Sequence, residues 1–190
     1  MTTDVLHQKP KSKSRVLGTS NHLQIEILER VGLEDIPQLI EVSDSLAEKF
    51  GPSAKLTRST IKKYFDYPRT YPFIARFSDE VIGYIIGVPL ERFSQDVWAQ
   101  YDVNLGKKNT VYTYAFAFKK RYHQTGYAKM LKRIYLNWMR KHEVEFISGH
   151  VIKGQTRKFS SAAEIIKVFK NWHGTGRTFE YYRRPLNNGR

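Results

Sequence analysis

The alternation of apolar and polar positions along the chain predicts several short strands. Residues 23–31 alternate in the way a half-buried strand does. Two apolar runs, at residues 73–77 and 81–88, flank a Ser-Asp-Glu turn and predict a β-hairpin. Residues 110–118 and 146–152 are further runs of strand-forming residues. A last strand is expected after the glycine-rich segment HGTGR near the end of the sequence.

A helical period appears between these strands. An apolar face recurs across residues 33–50, and a shorter helix is expected at residues 58–65. Residues 160–172 show the same spacing and predict another helix. The strongest pattern begins at Tyr127, where one face carries Met130, Leu131, Ile134, Tyr135, Trp138 and Met139. Strands that alternate with helices in this way predict a mixed α/β domain.

The strand at residues 110–118 has an unusual distribution of side-chain size. Strict alternation predicts one bulky face, formed by Tyr112, Tyr114, Phe116 and Phe118. The opposite face is small, with Val111, Thr113, Ala115 and Ala117. A face without large side chains lets another group approach closely, so it predicts either a packed helix or a ligand.

Composition limits the class of protein. The chain has 190 residues, of which 41% are hydrophobic, and it has no cysteine. One domain over residues 21–190 is expected, after a polar, basic tail at residues 1–20 without fixed structure. No apolar run approaches a membrane span, and the N-terminus lacks an apolar signal core, so a cytoplasmic protein without a membrane partner is expected.

Charge is distributed unevenly along the chain. The formal net charge is +14, yet residues 16–100 carry nine Lys/Arg and twelve Asp/Glu. Residues 103–142 carry ten Lys/Arg and no acid. This asymmetry predicts an anionic partner for the second half, such as nucleic acid, membrane headgroups or a phosphate-rich small molecule. A basic surface without a specific partner is the alternative.

The junction between the strand at residues 110–118 and the helix at Tyr127 suits a phosphate. The first turn of a helix has unpaired N–H groups and the positive end of the helix dipole, and both attract an anion. Gly126 has no Cβ, so it allows close approach to the backbone. A single glycine before a helix is weak evidence, and the whole stretch is stronger.

The segment FKKRYHQTGYAKML resembles the acyl-CoA signature of the GNAT superfamily of N-acyltransferases. In that signature a strand and an aromatic residue precede Arg/Gln-x-x-Gly-x-Gly/Ala, which opens a long helix. Phe118 matches the end of the strand and Tyr122 the aromatic residue. Gly126 and Ala128 match the two small positions, while His123 departs from the family's Arg or Gln. The order of predicted elements over about 165 residues is similar as well.

The resemblance implies a central, mostly antiparallel sheet with a splayed pair of parallel strands, flanked by helices. It implies transfer of an acetyl group from acetyl-CoA to a primary amine of an unidentified acceptor. Backbone groups of Phe116, Ala117 and Phe118 would pair with the pantetheine arm of CoA. The CoA pyrophosphate would lie on the loop, whose implied cofactor-binding residues are His123, Gln124, Thr125, Gly126, Tyr127, Ala128 and Lys129.

The catalytic and acceptor-binding residues are less well defined. His150 would lie on the splayed strand and is the candidate general base, with a histidine that merely packs on the sheet as the alternative. The family's later motif is poorly matched, because Lys167 falls where the proton-donating Tyr is expected. Tyr181 and Tyr182 lie nearby in sequence without a position in the family's motif, and Tyr181 is taken as the candidate in its place. Glu41 and Asp44, together with Asp66, are candidates for binding a cationic acceptor.

Two other functions stay open at this point. The basic charge and interleaved aromatic residues are also compatible with a nucleic-acid-binding module. A CoA-binding regulator without catalysis would keep the same fold. No metal site is expected, because no His pair has metal-ligand spacing next to acids. A contact of the basic face with nucleic acid or the ribosome, and a homodimer, are open alternatives.

Overall fold

The computed structural model describes residues 11–159 and 161–186, which form one eight-stranded sheet with four α-helices. The strands are β1 (Lys13–Ser20), β2 (Leu23–Arg30), β3 (Tyr71–Phe77), β4 (Glu80–Pro89), β5 (Thr110–Phe118), β6 (Phe146–Ile152), β7 (Glu164–Phe169) and β8 (Phe179–Pro185). The helices are α1 (Asp35–Val42), α2 (Asp44–Phe50), α3 (Arg58–Tyr64) and α4 (Tyr127–Lys141). The mixed α/β class is therefore confirmed.

The sheet is antiparallel except at one place near its middle. The strand order is β1-β2-β3-β4-β5-β6-β8-β7, and only β5 and β6 run parallel. These two strands pair only over three residues, from Thr110 opposite Phe146 to Tyr112 opposite Ser148. Beyond that point β6 continues to pair with β8 and β5 with β4. The two strands thus separate and leave a gap in the sheet, as the resemblance implied.

Helices cover both faces of the sheet. On one face, called here the α4 side, Leu131, Tyr135 and Met139 of α4 pack into a buried cluster with β2, β3 and β4. On the other, the α1–α3 side, Leu39 and Ile61 belong to a second cluster beneath the first three helices. The amphipathic pattern of α4 explains its position, because its charged residues other than the half-buried Lys132 are left facing solvent.

A β-bulge reverses the faces of β5. The register against β4 shifts at Tyr114, which has no partner on that strand. Tyr112 and Tyr114 therefore point to the α1–α3 side, whereas Phe118 packs in the α4-side cluster. Ala115 is buried on the α1–α3 side. The expected single bulky face is wrong, because strict alternation does not allow for an inserted residue.

The expected helix at residues 160–172 is also wrong, since β7 forms an antiparallel pair with β8 there. The β-branched residues Ile165, Ile166 and Val168 favour extended backbone. Their spacing fits a helix and a strand almost equally well, and pairing with β8 decides between the two. Residue 160 lies outside the described residues.

The first strand corrects the predicted tail at residues 1–20. Residues 13–20 pair with β2 along its whole length, so the sheet begins before residue 21. Most of β1 is exposed, which explains why its sequence shows no apolar pattern. It lies against α4, because a Cβ on Gly18 would stand 2.7 Å from Cδ1 of Ile134. Residues 1–10 of the predicted tail lie outside the described residues.

The expected helix at residues 33–50 is broken in two at Ser43. The Ser43 hydroxyl donates to the Ile40 carbonyl and accepts the Leu56 backbone N–H at 3.0 Å. It therefore ties the break to the segment before α3. The strands β5 and β6 match their expected bounds, and α3, α4 and the β3–β4 hairpin are confirmed within two residues.

Candidate active site

A cavity of about 550 Å³ fills the gap between β5 and β6 and crosses the sheet from one face to the other. Its walls come from α2 and α3 on one face and from α4 on the other, with β5, β6 and β8 between them. Residues Thr113 to Phe116 of β5 border it. Among the described residues no strand pairs with β5 on this side beyond Tyr112, so its backbone edge is free to bind an extended ligand.

The half of the cavity on the α1–α3 side is lined by aromatic rings. Tyr64 stacks on Tyr114 with the ring centres 3.9 Å apart. Trp98 lies 4.7 Å from Tyr112 and 5.1 Å from Phe93 between ring centres. These rings come from α3, from the loop before β5 and from β5 itself. They form a rigid apolar wall, because each ring is held by at least one other.

The rim of this half is polar and open to solvent. Lys49, Ser53, Asp96 and His173 line the cavity and are exposed. Asp96 is the one acidic residue among the lining residues, and its carboxylate forms no ion pair within the described chain. A molecule in solution therefore reaches the gap most directly from the α1–α3 side.

His150 lies inside this aromatic wall. Its ring stacks on Trp172 with the centres 4.0 Å apart, and Nδ1 is 2.9 Å from the Tyr112 hydroxyl. Nε2 is buried and has no hydrogen-bond partner among the described residues. Burial, with a smaller contribution from His173, lowers the pKa of His150 to about 3. The imidazole is therefore neutral at neutral pH.

Tyr181 is fully buried and does not line the cavity. Its hydroxyl donates to Asp102 Oδ2 at 2.6 Å, and Arg183 forms an ion pair with the same carboxylate. Burial and the neighbouring Asp102 carboxylate raise the pKa of Tyr181. This phenol holds the last strand to the loop before β5, so the structure does not support the expectation that it donates a proton to a ligand.

The half on the α4 side is more enclosed. Tyr135 is buried there, with its hydroxyl 3.3 Å from Oγ1 of Thr113. Tyr182 stands beside Gly149, and burial raises its pKa to about 12. The Tyr182 hydroxyl makes no hydrogen bond within the described residues. Lys132 and Arg184 line the same half.

The loop between β5 and α4 presents unpaired backbone amides. Gln124 and Gly126 both have positive φ, 67° and 86°, and Gly126 is the N-cap of α4. Thr125 Oγ1 donates to the Tyr122 carbonyl and accepts the Tyr127 amide. The amides that donate to no acceptor in the described chain are those of Gln124, Thr125, Gly126, Ala128 and Lys129. This concave run of donors at a helix N-terminus suits a phosphate.

Ion pairs hold the strand end that leads into this loop. Lys119 is buried and lies 2.6 Å from Glu41 Oε2 and 2.7 Å from Glu80 Oε1. Burial alone would lower the pKa of Lys119, but the hydrogen bonds to both carboxylates raise it. Tyr122 donates to the second oxygen of Glu80, and Arg121 pairs with the first. The cations of this segment are therefore largely neutralised by acids from the first half of the chain.

The family model of the acetyltransferase (GNAT) family matches residues 39–158, more than half of the chain. The chain belongs to this family. Comparison with curated protein sequences gives no match. The family assignment makes the protein an acyltransferase, with the gap between β5 and β6 as its candidate active site.

Solved structures show the same GNAT fold at low sequence identity. Ard1 from Thermoplasma volcanium has a TM-score of 0.64 at 13% identity, over 88% of this chain and 99% of its own. The ribosomal-protein-S18-alanine N-acetyltransferase from Escherichia coli has a TM-score of 0.63 at 13% identity, over 88% and 96%. An aminoglycoside 6'-N-acetyltransferase complexed with coenzyme A has a TM-score of 0.52 at 11% identity, over 79% and 91%.

The expected acceptor-binding acids lie outside the GNAT cavity. Glu41 is paired with Lys119, and Asp44 lies 2.5 Å from the Lys55 ammonium. Asp66 is 3.5 Å from Arg69. None of the three acids lines the cavity, so the structure does not support their expected role. Asp96 occupies the rim instead, in a loop that has no periodic pattern and could not be assigned from sequence.

The expected cofactor residues lie close together in sequence, at the end of β5 and around the start of α4. Phe116 and the loop of residues 123–129 lie at the free end of β5 and at the start of α4. His123 turns its ring back, with Nε2 3.3 Å from the Phe118 carbonyl. No group of three or more His, Asp or Glu in residues 11–159 and 161–186 could hold a metal ion. In the same residues no helix is long and apolar enough to cross a membrane.

Proposed function

We propose that this GNAT protein transfers an acyl group from coenzyme A to an amine inside the gap between β5 and β6. The observation that carries the proposal is the run of unpaired amides from Gln124 to Lys129, beside a strand edge that is also unpaired. A diphosphate would accept from the amides. The pantetheine arm would then extend along β5 from Phe118 toward Thr113.

The acceptor amine would enter from the open α1–α3 side. The aromatic wall attracts an alkylammonium through cation–π contact, and the Asp96 carboxylate adds a counter-charge at the rim. Deeper in the cavity, burial favours the neutral amine, which is the nucleophilic form. His150 is too weak a base to hold the released proton, since its pKa lies near 3. Its unpaired Nε2 would orient the amine, and Asp96 or water would take the proton.

Transfer itself requires one bond to form and one to break. The amine nitrogen attacks the thioester carbonyl carbon, a C–N bond forms, and the sulfur leaves with the electron pair of the C–S bond. Tyr182 is the residue we assign to protonate the thiolate, because it lines the cavity and its hydroxyl has no hydrogen-bond partner in the described chain. Tyr181, one residue earlier, is committed to Asp102.

Binding of coenzyme A tests the proposal directly. Gly126→Glu places a carboxylate in the amide loop and puts a side chain on a residue with φ 86°, which is strained. It should lower the affinity for CoA by about tenfold or more, which corresponds to about 1.4 kcal/mol. Gly106→Glu is the matched control, because Gly106 has φ 90° and equal open space but belongs to the loop before β5 and not to the amide loop. Calorimetry that shows equal affinity for both variants would refute the assignment.

The same measurement separates the nucleic-acid alternative. Lys119, Lys120 and Arg121 are each paired with a carboxylate, so they are poorly available to a phosphate backbone. We expect acetyl-CoA to raise the melting temperature and a single-stranded oligonucleotide to leave it unchanged. Stabilisation by the oligonucleotide alone, weakening with salt, would favour the nucleic-acid module.

A further inference from the structure

Two cations without an acidic partner line the α4 half of the cavity. Lys132 is half-buried on α4, and its ammonium lies 4.5 Å from the centre of the Phe159 ring. Arg184 is half-buried on β8, and its Nε is inaccessible to solvent and has no hydrogen-bond partner in the described chain. Neither residue forms an ion pair with any described residue. Lys132 and Arg184 therefore lack the neutralising carboxylates that contact the other shielded cations of this protein.

The contrast with the other buried cations is informative. Arg76, Lys119 and Arg183 each contact two carboxylates. Burial lowers the pKa of Lys132, and the nearby Arg184 charge lowers it further. Bringing two positive charges together in a partly dry cavity is unfavourable unless an anion neutralises them. A ligand carboxylate or phosphate would supply that anion.

The position of the pair indicates which part of a ligand it meets. Exposed residues surround the α1–α3 half, so the acceptor enters there. On the α4 side the neighbours Tyr135, Ile147 and Tyr182 are all buried. A group that points into this enclosed half from the β5 edge is the acyl end of the bound thioester rather than the incoming amine. The side chains of Tyr182 and Arg184, two residues apart on β8, face the same space.

We propose that Lys132 and Arg184 bind a carboxylate at the far end of the transferred acyl group. The preferred donor would then be the CoA thioester of a short dicarboxylic acid. The inference rests on the proposed function, because it takes the gap as the place where the thioester binds. The chemistry of transfer is the same as for an acetyl group: the C–N bond replaces the C–S bond, and the distal carboxylate is unchanged.

Donor preference tests this inference. With an amine acceptor in excess, kcat/KM is measured for succinyl-CoA and acetyl-CoA. The wild type should prefer succinyl-CoA by about tenfold or more, the range expected for one charge-assisted contact. Lys132→Met should remove most of this preference, expressed as the ratio of the two kcat/KM values, because a loss of activity common to both donors cancels in that ratio. Lys132→Arg, which keeps the charge, should retain it.

Two controls separate the explanations. Arg133→Met removes a charge from the next residue of α4, which is exposed and outside the cavity, and should leave the preference intact. Affinity for free CoA is measured by calorimetry in every variant. If Lys132→Met weakens free CoA as much as succinyl-CoA, the pair binds a phosphate of CoA and the inference is wrong. Equal use of both donors by the wild type would also overturn it. Absence of any CoA binding by the wild type would instead refute the proposed function.

Discussion

The buried imidazole of His150 makes the stability of this protein sensitive to mild acid. In the unfolded chain a histidine has a pKa of 6.5, whereas burial lowers the pKa of His150 to about 3 in the folded protein. Below pH 6.5 this histidine binds a proton in the unfolded state, whereas in the folded state it stays neutral until the pH approaches 3. Stability is therefore full above pH 6.5 and is lost as the pH falls from 6.5 toward 3.

The magnitude follows from these two pKa values. Protonation of His150 in the unfolded state lowers the free energy of unfolding by about 2 kcal/mol at pH 5 and by about 0.2 kcal/mol at pH 7. Urea unfolding at both pH values should therefore show that the wild type loses about 2 kcal/mol more than His150→Gln, whose side chain is neutral throughout. The comparison cancels the titration of all other groups, because both proteins share them.

An equal loss in the two proteins would refute this reasoning. It would mean that His150 takes up a proton in the folded state near its ordinary pKa, and that water reaches the aromatic wall. The Hε1 resonance of His150, followed by NMR from pH 7 to 4, gives an independent answer. It should stay at the position of a neutral imidazole over the whole range. The same result would also exclude His150 as the group whose titration controls the rate near neutral pH.

Four further substitutions test the site and the contacts that support it. Tyr182→Phe should lower kcat by about a hundredfold and leave the melting temperature unchanged. Tyr181→Phe should lower the free energy of unfolding by about 2 kcal/mol in urea unfolding. A loss of kcat in Tyr181→Phe and a loss of stability in Tyr182→Phe would exchange the roles of the two residues. Gly83→Ala should cost about 1–3 kcal/mol, because its Cβ would lie 2.6 Å from the Phe118 ring; unchanged stability would show that the ring moves freely. Lys119→Met should lower the free energy of unfolding by about 1–2 kcal/mol and weaken CoA binding in calorimetry. Unaltered CoA affinity would show that the ion pairs of Lys119 do not support the amide loop.

The sequence predicted the elements whose pattern comes from local contacts. Helix α4 has an uninterrupted apolar face, so its extent and orientation were evident. The loop at Gly126 was identified because a helix N-terminus and a residue with positive φ are local properties. The same reasoning failed at β7, where helical and extended spacing agree and only pairing with β8 decides.

Site residues that depend on distant partners were not predictable. Glu41 looked like a free acid, and only the fold brings Lys119 to it from 78 residues away. The bulge at Tyr114 depends on how β5 pairs with β4. The pattern of apolar and polar residues along β5 does not contain that information. Tyr181 and Tyr182 are adjacent in sequence, and their side chains lie on opposite faces of the sheet. Which of the two meets the cavity follows from the pleat of a strand whose register the sequence does not determine.

The carboxylates of Glu41 and Glu80 hold Lys119, at the end of β5, to α1 and β4. A loop whose ends are already held in place loses less conformational freedom on binding a ligand than a loose one, so more of the contact energy is available as affinity. Recognition by main-chain amides also depends on backbone shape rather than on particular side chains. The cofactor loop that we propose can therefore change sequence widely at its exposed positions without losing its fit to a diphosphate.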